Sequence, residues 1–483
     1  MEIMSNQPAS QLPSSNLEII VLAAGQGTRM NSRLPKVLHT LAGRPLLAHV
    51  LDRVAQLNPQ RIHVVVGHMR DAVRDAVRAT NPDLEVNWVD QAEQLGTGHA
   101  VQQVLPWVAD DATLLVVLGD VPLITTQTLH NCVTTVPMDG VALVTADFAD
   151  PAELGRIMRD GSGAIQSIVE FKDADPAQRA VQEINSGIMA AAPDVLQGLL
   201  SQVRPRNAQG EYYLTDIVAL AVTGNVPVRS LKASSSEEVR GVNDRIQLAG
   251  LERHYQGERA RALMRDGVAI ADPARLDIRG EVSAGIDCFI DVNVVLEGRV
   301  VLGEGVMIGP GAVIRDSELG DGVRVLAHTV IEGAQVAADC VLGPFARIRP
   351  GTELGAGVRI GNFVETKNSI VGAGSKASHL AYLGDATLGE GCNVGAGTVT
   401  CNYDGVDKHR TTIGDGVFIG TNATLVAPLV IEDGAYIGAG STITTTVGKD
   451  ELAVGRGRQR NLQGWDRPDK RAARNDQKSK TKK

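Results

Sequence analysis

The chain has 483 residues, too many for one ordinary core, and its 43% hydrophobic and 21% charged residues are those of a globular protein. A formal net charge of -9 argues against a nucleic-acid partner, and no apolar run approaches the roughly 20 residues of a membrane span. The five cysteines (Cys132, Cys288, Cys340, Cys392, Cys401) are scattered and lack a CxxC pair, so they make neither a disulfide framework nor a zinc site and point to a reducing, cytoplasmic setting.

Residues 1–16 have no basic stretch followed by an apolar core, and are expected to be a disordered extension, not a secretory signal. From 17 to 245, the β-rich runs LEIIVLAA (17–24), RIHVVVG (61–67), LEVNWV (84–89) and TLLVVLGD (113–120) alternate with amphipathic stretches at 45–56 and 69–79. This rhythm predicts an α/β domain with a mostly parallel sheet, helices on both faces, and a site beyond the carboxyl ends of the strands.

The motifs of this half fall at those ends. Leu22, Ala23, Ala24 and Gly25 run into Gln26-Gly27-Thr28-Arg29-Met30, with Leu34-Pro35-Lys36 behind. Gly25 and Gly27 let backbone N–H groups approach a phosphate, and Arg29 and Lys36 add charge against triphosphate oxygens. It is not a Walker loop, and Met30 holds the third Gly place of a dinucleotide fingerprint; by itself the GxG is also what a tight turn looks like. Gln91 precedes Gly96-Thr97-Gly98-His99-Ala100, and its amide either matches the donor–acceptor edge of uracil or caps a loop. Asp120 ends a buried strand in LGDVPL, as a Mg²⁺ ligand or as a turn residue before Pro122. Asn243, in Gly241-Val242-Asn243-Asp244, offers the metal a second oxygen.

Residues 246–270 are helical throughout and are expected to form a linker helix. Over 271–452 the grammar changes. Aliphatics recur every sixth position at Val330, Val336, Leu342, Ile348, Leu354 and Ile360, and again at Ile413, Ile419, Leu425, Ile431, Ile437 and Ile443. Six fits neither helix nor plain strand. It fits a parallel β-helix in which each hexapeptide is one face and the aliphatic points inward. The period breaks at CNYDGVDKHRTT (401–412), expected to be a protruding loop, and 453–483 form an arm with a flexible basic tail.

The densest chemistry of this half lies at RIRPG (347–351), NFVETKN (362–368), SKASHLAYLGD (375–385), NVGAG (393–397) and CNYDG (401–405). His379 alone there has a pKa suited to taking a proton from an amine attacking a thioester; a lone surface His is the bland alternative. Arg349 and Lys367 suit a substrate phosphate. Tyr382 and Asn393 suit the sugar or the imidazole, and Asn402 and Tyr403 the sugar or the cofactor.

The set LAAGxGTRM, PK, QAEQLGTGHA, GDVPL, GR (155–156), IVE (168–170), EINSGI (183–188) and GVND resembles the bifunctional bacterial N-acetylglucosamine-1-phosphate uridyltransferase/glucosamine-1-phosphate N-acetyltransferase family. The likeness spans most of residues 17 to 470, both halves in the family's order. Leu118 stands where the family often has Tyr. The resemblance implies an α/β, Rossmann-like nucleotidyltransferase domain followed by a left-handed parallel β-helix of hexapeptide repeats. It implies uridylyl transfer from UTP to N-acetylglucosamine 1-phosphate with Mg²⁺, and acetyl transfer from acetyl-CoA to glucosamine 1-phosphate. Gly155, Glu170, Asn185 and Asn243 would hold the sugar or its phosphate; Ala396, Thr421, Ala439 and Arg456 would line the coenzyme A groove, Thr421 replacing a frequent Ser. A homotrimer with acetyl-transfer sites between chains follows from the likeness too. The alternative is a sugar-1-phosphate nucleotidyltransferase whose β-helix only oligomerises or regulates.

Overall fold

The computed structural model describes residues 16–465; most of the expected N-terminal extension and the end of the basic tail lie outside the described residues. The chain divides into two compact units. One holds residues up to Val282 with Val295–Gly298, the other Ser283–Val294 with residues from Arg299 on. The helix expected as a linker therefore counts with the first unit.

In the first unit the strands are β1 (Leu17–Leu22), β2 (Arg61–Val66), β3 (Asn87–Asp90), β4 (Thr113–Leu118), β5 (Val141–Asp147), β6 (Glu183–Ala191) and β7 (Val228–Lys232), apolar through the centre of the sheet and more polar at its edges β3 and β7. Their order is β7-β5-β6-β4-β1-β2-β3. All neighbours are parallel except β6, which runs against both β4 and β5. β1 is buried on both faces: Ile19 and Val21 join one core, Ile20 the other. LEVNWV becomes strand only from Asn87, because the Leu84 N–H donates to Asn81 O (3.1 Å) and closes a turn. No helix among the described residues is long and apolar enough to cross a membrane.

The second unit is a stack of short parallel strands, a left-handed β-helix. Each strand pairs with the one a coil further on, as in Arg324↔Val341 and Ile360↔Ala377. The second aliphatic run points inward at every position. The first needs one correction: Ile331 is wholly buried, whereas Val330 is only half-buried. The corner from Ile331 to Val336 takes five residues, not six, as do Ile314 to Leu319, Thr366 to Val371 and Leu383 to Leu388. At each, one left-handed residue makes the turn: Asp316 (φ 44°), Gly333 (54°), Asn368 (47°) and Asp385 (48°). A small buried residue follows it: Ser317, Ala334, Ser369 and Ala386. The period therefore slips at these corners as well as at the loop. The loop itself is shorter than expected, since Cys401, Thr411 and Thr412 belong to strands.

The thiols of Cys132, Cys288, Cys340 and Cys392 are buried, Cys401 is half-buried, and all five are free. Burial pushes the Cys132 thiol up to about 12, so it is inert at neutral pH.

Candidate functional site

A cleft of about 780 Å³ opens at the carboxyl ends of β1 and β4. Every residue expected to bind UTP, sugar or metal in this half lines it: Leu22, Ala23, Ala24, Gly25, Arg29, Lys36, Gln91, Gly96, Thr97, Asp120, Gly155, Glu170, Asn185 and Asn243. The Gly-rich loop is shaped by its neighbours. Gly27 has φ +64°, and a Cβ there would stand 2.6 Å from Lys36 Cβ, so only Gly lets Lys36 approach. A Cβ on Gly25 would meet nothing within 4 Å and would protrude into the cleft. That is the open backbone a phosphate needs.

Lys36 Nζ pairs with Asp120 Oδ2 and donates to Asn243 Oδ1 at 3.2 Å. Two oxygens from distant segments therefore meet at one cation. Asp120 sets this up with its backbone: its carbonyl accepts the Val242 N–H at 3.0 Å. The helix Arg245–Arg265 helps from the other side. Asp244 caps it by accepting the Gln247 N–H (2.8 Å), and Gln247 Oε1 accepts the Asn243 N–H (2.8 Å). The expected linker thus fixes a site residue at its N-terminus. Arg29 donates to Asn243 Oδ1 (3.1 Å) and to Glu153 Oε2 (2.5 Å).

Gln91 is buried, and its Nε2 is shared between Gly96 O (3.1 Å) and His99 Nδ1 (3.1 Å). Oε1 alone is left for a base. Gly96 has no room for a side chain, since a Cβ would lie 2.6 Å from Tyr212 O, and Thr97 Oγ1 accepts the Leu214 N–H at 3.0 Å. On the far wall a Cβ at Gly155 would press on both Glu170 carboxylate oxygens at 3.2 Å, and Gly155 O accepts the Asn185 N–H at 2.9 Å. Asn185 Oδ1 is buried without a partner, which suits a ligand donor. Burial raises the Glu170 carboxyl above its ordinary range, against the hydrogen bond from Thr215. Glu153, Thr215 and Gln94, whose Nε2 donates to Ala24 O at 2.8 Å, escaped the sequence reading. Glu153 and Thr215 come from segments without motif character, whereas Gln94 stands inside the QAEQLGTGHA motif, where only Gln91 and the Gly-Thr pair drew a role.

In the β-helix, His379 is exposed and its Nδ1 lies 2.5 Å from Asn362 Oδ1. Oδ1 can only accept, so Nδ1 is the donating nitrogen of this pair, and a neutral ring then has its lone pair on Nε2. Asn362 thus holds the imidazole from the coil before it. Asn393 pairs in register with Lys376, and Tyr382 with Glu365 and Val399. Tyr382 lies over Gly384, where a Cβ would stand 2.3 Å from its hydroxyl. The spacing was a usable signal: Asn362 lies 17 residues before His379, one coil away. Arg349 donates to Glu365 Oε1 at 2.7 Å, another partner the sequence reading missed. Arg349 and Lys367 flank successive strands, since the Arg349 N–H donates to Thr366 O. Ala396, Thr421 and Ala439 line up on successive coils: Ala396 O accepts the Asn422 N–H, and Thr421 O the Gly440 N–H. Arg456 Nη1 reaches Ala439 O at 2.6 Å. Tyr403 is exposed on the loop with its hydroxyl donated to Gly405 O, and Asn402 holds Asp385 at the loop's base.

A mostly parallel-sheet domain with a Gly-rich loop beside a lysine held by carboxylate and amide oxygens, followed by a hexapeptide β-helix carrying an asparagine-held histidine, defines a nucleotidyltransferase joined to an acyltransferase. The MobA-like NTP transferase domain model matches residues 19–184, and the bacterial transferase hexapeptide (six repeats) model matches 285–316 and 410–445. The chain is 54% identical to the Bifunctional protein GlmU of Marinobacter nauticus over 456 residues, 94% of this chain and 100% of that protein. It is 53% identical to the Bifunctional protein GlmU of Alkalilimnicola ehrlichii over 458 residues, 95% and 98% of the two chains. With that of Stutzerimonas stutzeri it shares 54% over 456 residues, 94% and 100%. The chain belongs to the GlmU family of bifunctional proteins. It is both a UDP-N-acetylglucosamine diphosphorylase and a glucosamine-1-phosphate N-acetyltransferase.

Proposed function

We propose that the cleft of the first unit carries uridylyl transfer from UTP to N-acetylglucosamine 1-phosphate, and that the His379 region carries acetyl transfer from acetyl-CoA to glucosamine 1-phosphate. The acetylated product would be the substrate of the cleft. The observation that carries the reading is the meeting of Asp120 and Asn243 on Lys36 beside the Gly-rich loop. These are hard oxygen donors, with no group of three or more His, Cys, Asp or Glu able to hold a metal among the described residues. One carboxylate and one amide oxygen fit Mg²⁺, which takes most of its shell from water and phosphate. Bound there, Mg²⁺ would neutralise charge on the phosphates.

The sugar phosphate is already an anion, so its oxygen attacks the α-phosphorus of UTP without a general base. The bond from that phosphorus to the bridging oxygen breaks, and pyrophosphate leaves. Arg29 and Lys36 neutralise the phosphate oxygens through this in-line step. Gln91 Oε1 accepts from uracil N3–H. Gly155, Glu170 and Asn185 face the sugar. In the β-helix, Nε2 of His379 takes a proton from the substrate amine as it attacks the thioester carbonyl; the C–S bond then breaks, and the proton passes from His379 to the leaving sulfur to give the thiol of coenzyme A. The backbone N–H of Ala396 is assigned to the thioester carbonyl oxygen. Arg349 and Lys367 hold the sugar's phosphate; Tyr382 and Asn393 flank it. Asn402, Tyr403, Thr421, Ala439 and Arg456 receive the cofactor.

Homotrimeric assembly and a cytoplasmic location belong to the same proposal. His328, Phe345 and Phe363 stack along one edge of the β-helix with centroids 5.1 and 5.6 Å apart. All three hold left-handed backbone, and both Phe side chains are exposed. Bulky residues rarely accept that conformation, and a neighbouring subunit would cover them. Free thiols support the reducing location. One reaction containing glucosamine 1-phosphate, acetyl-CoA, UTP and Mg²⁺, with thiol and pyrophosphate release followed separately, tests the chemistry. Analytical ultracentrifugation tests the trimer.

A further inference from the structure

The inserted loop of the β-helix leaves its coil and rejoins it at one residue. Asp385 turns a corner with φ 48°, a conformation that Asp tolerates better than most residues, and it is 8% exposed. Its Oδ2 accepts from Asn402 Nδ2, where the loop departs. Its main-chain oxygen accepts the Thr411 N–H at 3.2 Å, where the chain returns. Its Oδ1 accepts from Asn368 Nδ2 at 2.6 Å, one coil back. The loop between is braced on itself. The His409 N–H donates to Asn402 O at 2.8 Å. The Asp404 carboxylate accepts the Val406 and Asp407 N–H groups, both at 2.8 Å, and lies 2.7 Å from His409 Nε2. A braced hairpin is thus tied to the coil through Asp385, and at its far end through Arg410, whose Nε donates to Thr387 Oγ1 at 2.9 Å.

Two amide donors converge on Asp385 from opposite coils, so the position needs two acceptor oxygens. Asn there would offer one acceptor and one donor, and one neighbour would have to turn its amide. Burial alone would raise this carboxyl. The hydrogen bonds from Asn368 and Asn402, with the charges of Lys367 and Lys408, outweigh it and hold it below the ordinary carboxylate range. Lys367 is assigned to the substrate phosphate and Lys408 sits on the loop, so Asp385 lies electrostatically between the two. A coil-stacking role would need only the bond to Asn368. The bond to Asn402 goes to a loop that adds nothing to the core.

We propose that Asp385 is the positioning residue of the acetyl-transfer site, acting on acetyl-CoA through Asn402 and the loop 402–410 without touching either substrate. This rests on the assignment of acetyl transfer to the His379 region. The test uses full-length Asp385→Ala, Asn402→Ala, the double variant and Asn368→Ala, with thiol release measured against acetyl-CoA. Asp385→Ala is expected to raise the acetyl-CoA KM roughly tenfold or more, the size of one lost hydrogen bond to a charged group. Pyrophosphate release and the acidic limb of the pH profile should stay as in the wild type, and the glucosamine 1-phosphate KM should change less than the acetyl-CoA KM. The double variant should be no worse than Asn402→Ala, and Asn368→Ala should have little effect. A residue that merely stabilises the coil would lower the active fraction, hence kcat, and leave KM alone. Asp385→Asn keeps the volume and the left-handed corner; it carries the test if the alanine variant does not fold, with a smaller rise in KM expected. An unchanged acetyl-CoA KM in Asp385→Asn and Asp385→Ala, or additive effects in the double variant, overturns the inference. A wild-type chain that releases no thiol overturns the functional assignment beneath it.

Discussion

Lys36 meets Asn243 across 207 residues of chain. In the β-helix, Asn362 meets His379, Asn368 meets Asp385, and Asp385 meets Asn402, each pair 17 residues apart. The cleft is assembled by a sheet that carries distant segments to one edge, so each residue depends on the whole topology of its unit. The β-helix site is assembled by stacking, and each residue depends on the coil before and after it. A substitution in the cleft should therefore disturb several functions of that cleft together, while one in the β-helix should act on a neighbour one coil away.

Loss of the Asp120 carboxylate should have the largest effect. Asp120→Ala removes the partner of Lys36 and the proposed metal ligand together, so pyrophosphate release should fall to background while thiol release continues. Normal uridylyl transfer in a folded variant would remove Asp120 from the cation site.

His379→Ala should lower acetyl-transfer turnover by roughly 10²–10⁴-fold, as for a lost general base. Substrate KM should change little, because binding rests on Arg349 and Lys367, and the acidic limb of the pH profile should vanish. Uridylyl transfer should be untouched. Near-normal turnover in the variant would assign the base elsewhere, first to the 402–410 loop.

Base choice should follow from Gln91. With Nε2 committed to Gly96 O and His99, Oε1 suits the N3–H of UTP and dTTP and opposes the N3 lone pair of CTP. The kcat/KM for CTP should be lower by roughly 10–100-fold, the worth of one mismatched hydrogen bond. Equal use of CTP and UTP would show that Gln91 does not read the base.

The smallest effect should come from Glu170. Burial raises its carboxyl in the folded protein. An acid raised on folding prefers its protonated form there, so stability declines as pH rises from the ordinary carboxyl value through the raised one. Glu170→Gln should therefore give a small rise in Tm at neutral pH that disappears below the ordinary carboxyl range, together with a higher KM for the sugar phosphate. No pH dependence in the Tm difference would refute the assigned cause.

The sequence by itself determined the two architectures, because period and punctuation are local properties. Strand–helix alternation and the six-residue recurrence need no partner to be visible. It also marked part of the cleft lining, since Gly25, Gly27, Lys36, Asp120 and Asn243 stand in motifs whose residue types suit phosphate and a hard cation. Only the tertiary structure decided who touches whom. The commitment of Gln91 Nε2 to Gly96 and His99, the capping of Arg245–Arg265 that fixes Asn243, and the Arg29–Glu153 pair join segments that no periodicity links. In the β-helix the tertiary structure settled the register. One-residue corner slips, set by left-handed Asp316, Gly333, Asn368 and Asp385, moved the inward position from Val330 to Ile331. They also made 17 residues the distance from Asn362 to His379 and from Asp385 to Asn402. A corner's length depends on backbone dihedrals that a hexapeptide pattern does not encode, and a shift of one residue exchanges inward for outward side chains.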